Sequence, residues 1–77
     1  METFENLAHK IEEAAGEKSP RLVAKGKEID LLIKHKSWGA AENQNLKFAH
    51  ISRQLPNQDN VETIRINAMF TSLNQYA

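Results

Sequence analysis

Apolar residues recur along this chain at intervals of three and four, and that period commits it to helices. Phe4, Leu7, Ala8, Ile11, Ala14 and Ala15 form one stripe, and Leu22, Val23, Gly26, Ile29, Leu32 and Ile33 form a second. At 3.6 residues per turn such positions share one side of a helix, and burying that side is what folds the segment. No run of alternating β-branched residues and no Asn-Gly turn interrupts the pattern, so no sheet is expected.

Glycine and proline divide the pattern into four segments. The first helix is expected over residues 3–15, with Gly16 supplying a left-handed C-terminal cap. Ser19 then reads as an N-cap and Pro20 as the first helical residue, where its missing N–H does no harm. Gly26 falls on the apolar side of this second helix, although glycine there costs about 1 kcal/mol relative to alanine. A close approach by a neighbouring helix would explain it. Lys34 and Lys36 suit the negative end of the helix dipole, and Gly39 marks the stop. A third helix is expected over 40–55, with Ala41, Leu46, Phe48, Ala49, Ile51, Ser52 and Leu55 as its stripe, closed by Pro56. A fourth is expected over 60–75, opened by a capping box of Asp59 and Glu62. Its apolar residues are Ile64, Ile66, Met69, Phe70 and Leu73. Short connections make consecutive helices close neighbours. The expected fold is all-α: a small bundle of four helices with short loops, forming a single domain over 1–77.

Composition narrows the classes further. A chain of 77 residues leaves no room for a second core, and a domain this small is stable only by a narrow margin. It contains no cysteine, which excludes disulfides and thiolate metal sites and suits a reducing, cytoplasmic setting. Self-association is the remaining common aid. No apolar run exceeds three residues, as at 31–33, so no membrane span is expected. The acidic start at 1–5 does not have the form of a secretory signal. Lysine plus arginine balances aspartate plus glutamate at 10 each, which argues against a strong, non-specific polyanion binder. The charge is nevertheless uneven. Residues 1–17 carry five glutamates against Lys10, whereas 18–36 carry six basic residues against Glu28 and Asp30. Two readings fit: attraction between neighbouring helices, or a basic stripe (Arg21, Lys25, Lys27, Lys34) for an acidic partner.

Chemistry-bearing patterns are sparse. Glu5, His9 and Glu13 stand four residues apart on one helix face, a spacing a metal can use, but the row has no second histidine. Nucleophilic catalysis needs a base held near a nucleophile in a sheltered cleft, whereas Ser19 is better explained as a cap; the three glycines are isolated, so no phosphate loop exists. His35 reads as surface and His50 as half-buried beside the third stripe. The expectation is a protein without catalytic residues, cofactor, metal or small-molecule substrate. It would instead be a regulatory interaction protein that makes helix-mediated contacts with a protein partner or with itself as a homodimer. Trp38, at the junction before the third helix, is either a lid over the core or a partner-facing anchor. Ile66, Met69, Phe70 and Leu73 spread over more than one face of the fourth helix, and they complete the expected partner-binding set.

The alternative rests on residues 46–70, which loosely resemble a helix-turn-helix. Residues 48–55 would form the supporting helix, 56–59 the turn and 61–65 the start of the recognition helix, with Ile51, Leu55, Val61 and Ile64 packing at the corner. What the resemblance implies is a DNA-binding transcriptional regulator contacting bases or phosphates through Arg53, Asn60, Thr63, Arg65 and Asn67. Asp59 and Glu62 would then face phosphates, which is repulsive.

Overall fold

The computed structural model describes residues 3–64 and is all-α. The fold is a small bundle of four helices: α1 (Phe4–Ala15), α2 (Pro20–Lys34), α3 (Trp38–Arg53) and α4, described over 58–64, with no strand among the described residues. α2 is the central element and packs against α1 on one side and α3 on the other. The end of α1 lies at the start of α2, because the Glu12 carboxylate accepts the Ser19 N–H. The start of α1 lies against Gly26 and Asp30, so the two helices run in opposite directions. Phe4 and Phe48 meet edge-to-face at the centre, with ring centroids 5.6 Å apart and planes at 88°. Leu7, Ile11, Leu22, Ile29 and Val61 are fully buried around them.

The N-terminus of α1 is capped from two directions. A helix start leaves its first N–H groups without intrahelical partners. Here the Thr3 hydroxyl accepts from Asn6 N–H at 3.1 Å, as an N-cap should. The Asp30 carboxylate, one helix away, accepts from Phe4 N–H at 2.8 Å and Glu5 N–H at 3.0 Å. Gly26, one turn before Asp30, explains how the carboxylate reaches. A Cβ there would stand 2.7 Å from the Phe4 carbonyl oxygen, so only glycine lets the backbones come this close.

Helix ends depart from expectation in three places. α1 does stop at Gly16, which adopts φ 73° and, with Glu17, bonds back to the Glu12 and Glu13 carbonyls as a Schellman motif requires. α2, however, stops with the same motif built on Lys36 at φ 58°, with Lys36 N–H donating to Ile33 and Ser37 N–H to Leu32. Gly39 therefore does not end α2; it lies inside the first turn of α3, which begins at Trp38 rather than 40. The left-handed region costs a non-glycine residue about 1–2 kcal/mol, more than the 0.4–1 kcal/mol or so that glycine adds to unfolded-chain entropy. Lys36→Gly is thus expected to stabilise the protein by about 0.5–1 kcal/mol. Urea unfolding checks this, and a loss of stability would contradict the cap assignment.

The second departure is at Ser19, whose side chain makes no capping bond; its backbone is held by Glu12 instead. The third is at the last corner. Asn57, not Asp59, opens α4: its carbonyl accepts from Asn60 and Val61 N–H, each at 3.1 Å. The Asn57 amide donates to the Ala15 carbonyl at 2.8 Å, tying the end of α1 to this corner. The Gln58 amide does the same for the end of α3, donating to Ser52 O at 2.9 Å and also to Leu55 O.

Two close side-chain pairs of these helices, His9–Glu12 at 2.9 Å in α1 and Lys25–Glu28 at 2.7 Å in α2, each lie within one helix. Apolar packing and the Asp30 cap hold α1 to α2, and exposed charges on neighbouring helices add little.

Candidate functional site

Expected site residues fall in three groups. Ile66, Met69, Phe70 and Leu73, together with Arg65 and Asn67, lie outside the described residues. Trp38 opens α3 and is 42% exposed, so part of its side chain faces solvent. At the last corner Ile51, Leu55 and Val61 are buried, and Ile64 is half-buried against the same core. Arg53, Asn60 and Thr63 are exposed there. The Thr63 hydroxyl donates to Asp59 O at 3.0 Å. Asp59 and Glu62 stand exposed among them.

The row Glu5, His9, Glu13 does not converge. The His9 ring bonds to Glu12, and no group of three potential metal ligands is found among the described residues. Glu12 is the one buried carboxylate of this region. It takes the Ser19 N–H at 2.6 Å on one oxygen and His9 Nδ1 at 2.9 Å on the other. The Ser19 bond lowers its pKa below the ordinary 4.5; burial opposes this, and His9 and Lys18 add to the lowering. A lowered carboxylate contributes stability that is full above its ordinary pKa and is lost as the pH falls through the folded value. Acidification from about pH 6 to about pH 3 should therefore remove more stability from the parent than from Glu12→Gln. Parallel urea titrations check this; equal losses would mean that Glu12 does not link α1 to α2.

The feature that sequence reasoning misplaced is Leu46. The apolar pattern puts it in the buried stripe of the third helix, yet it is 70% exposed. The core side of α3 is set by Ala41, Phe48 and Ser52. Leu46 precedes Phe48 by two residues, about 200° around the helix, and so points away. Helical spacing alone identifies it once Phe48 is known to be central. His50, expected half-buried, shares this outer side and is exposed. Gly39, Asn43, Leu46, His50 and Arg53 then follow one another at steps of four and three along an exposed face.

Beside that face, a depression of about 360 Å³ runs between α2 and α3. Arg21 and Lys25 wall it from α2, and Leu46, Lys47 and Ile51 from α3. Lys25 is positioned by Glu28 and Gln44, each 2.7 Å from its ammonium. No carboxylate is among the described residues lining the depression. What the arrangement offers is an apolar side chain inside a positively charged rim. No helix among the described residues is long and apolar enough to cross a membrane. No family model, curated protein or solved structure matches the chain.

Proposed function

We propose that this chain is a small, non-enzymatic interaction protein that works through helix-mediated contacts with a protein partner or a second copy of itself. The observation that carries this reading is Leu46, 70% exposed in the middle of a regular helix. A leucine held there contributes nothing to the core, whereas burying it against a partner is worth about 1.5–3 kcal/mol. Trp38, on the same helix, adds a second partly exposed apolar side chain. A regulatory role follows from occupancy of such a face rather than from turnover. Support for a non-enzymatic role comes from the polar side chains. Ser52 is buried with its hydroxyl donating to Ala49 O, and Glu12 is held by Ser19 and His9 in the fold itself. The lack of cysteine fits a cytoplasmic setting.

The buried corner of Ile51, Leu55 and Val61 favours a second reading, DNA binding through Arg53, Asn60 and Thr63 with Arg65 and Asn67. One pair of experiments separates the two. Labelled random-sequence duplex is titrated at low salt, where phosphate contacts are strongest. Sedimentation equilibrium at two concentrations is run beside it. The interaction reading predicts no DNA binding and, for self-association, a mass that rises with concentration. DNA binding that weakens with salt and in Arg65→Ala selects the second reading.

A further inference from the structure

We propose that the depression between α2 and α3 binds an acidic amphipathic segment of a partner protein. The inference rests on the interaction reading and names the chemistry of the partner. Its first ground is charge. Arg21 and Lys25 approach the depression from α2 and Lys47 from α3, and the described lining contains no carboxylate to neutralise them. Lys25 already shares its charge with Glu28 at 2.7 Å, so Arg21 and Lys47 carry the unbalanced charge. This local excess stands on a chain whose overall charge is zero. It is a property of one face, not of the whole surface.

The second ground is Leu46, which lines the same depression and is 70% exposed. A phosphate backbone would use the cations and leave the leucine in water. An apolar segment would use the leucine and leave the cations unmatched. A helix with leucines on one side, flanked by glutamate or aspartate, uses both, and this is the groove mode of recognition. Asn43 and His50 on the rim supply hydrogen-bonding groups for polar side chains of such a segment. The charges set the direction of approach and the choice of partner, and the leucine supplies the anchor.

The experiment uses the full chain, labelled with ¹⁵N, and two synthetic helical peptides. One carries leucines on one face and glutamates on the other; its counterpart has lysine in place of every glutamate. The expected result is saturable shifts of the Arg21, Lys25, Asn43, Leu46 and Lys47 amides with the glutamate peptide, none with the lysine peptide, and weakening by salt. Arg21→Glu combined with Lys47→Glu should weaken binding about tenfold. Should that pair unfold by circular dichroism, the milder Arg21→Gln with Lys47→Gln is used, with a smaller loss expected in the same direction. Lys27→Glu with Lys34→Glu should leave binding unchanged, and an equal loss there would move the contact to the outer stripe of α2 and overturn the site. Equal binding of both peptides overturns the acidic chemistry while leaving the interaction reading intact. Displacement of the glutamate peptide by random-sequence DNA at equal concentration overturns it in favour of nucleic acid. The same shifts produced by raising the protein concentration alone make a second copy the occupant and overturn a separate partner. No shift with either peptide, together with a strict monomer, removes both the inference and the reading beneath it.

Discussion

Gly26→Ala is expected to destabilise the protein by about 2–4 kcal/mol, although alanine is the better helix former by about 1 kcal/mol. The sign is decided by what the new Cβ would meet. It would lie 2.7 Å from Phe4 O, 2.9 Å from Phe4 C and 3.1 Å from Glu5 N. All three are backbone atoms of the first turn of α1, so no side chain can rotate away, and the helices must separate. Separation lengthens the Asp30 bonds to the same two residues, now 2.8 and 3.0 Å. Overpacking costs about 1–3 kcal/mol, and weakened bonds to a charged acceptor add to it. Gly39→Ala is the control, since nothing lies within 4 Å of a Cβ there. That change should be neutral or stabilising by up to about 1 kcal/mol. Urea unfolding of both variants measures the contrast; a stabilised Gly26→Ala would show that α1 does not sit on α2 as described.

Asp30→Ala is expected to cost about 2–3 kcal/mol. It leaves the Phe4 and Glu5 N–H groups without an acceptor at a helix start where Phe4 is only 1% exposed. It also removes a negative charge from the positive end of the α1 dipole. Thr3→Ala removes a single bond, to Asn6, and should cost about 1 kcal/mol. The two losses should not add, because both act on the same first turn. Loss of stability in Asp30→Ala no greater than in Thr3→Ala would mean that the cross-helix cap is dispensable. For a domain of this size, total stability is about 4–12 kcal/mol, so either Gly26→Ala or Asp30→Ala removes a large share.

The helix stripes and the role of Gly26 were legible in the sequence because both depend on local period and on one residue type. Gly16 was legible for the same reason. Asp30 was not: its partners are 26 and 25 residues away, and nothing in the local pattern distinguishes it from a solvated carboxylate. Lys36 was hidden because a left-handed cap built on lysine has no residue signature, so Gly39 drew the boundary instead. Asp59 and Glu62 had the form of a capping box, but the amide side chains of Asn57 and Gln58 decide where α3 ends and α4 begins. The candidate site was legible in its charges, since Arg21 and Lys25 already stood in the basic stretch. It was hidden in its anchor, because an apolar residue in a helical segment is assigned to the core unless the centre of the stripe is known.

The central claim is that Leu46 serves contact rather than folding, and Leu46→Ser tests it directly. The unfolding free energy should stay within about 0.5 kcal/mol of the parent, as for other exposed positions. Binding of the glutamate peptide should weaken about tenfold or more, in line with losing a buried leucine at an interface. Destabilisation of more than about 2 kcal/mol would return Leu46 to the core, and unchanged binding with unchanged stability would leave the face of α3 without a role.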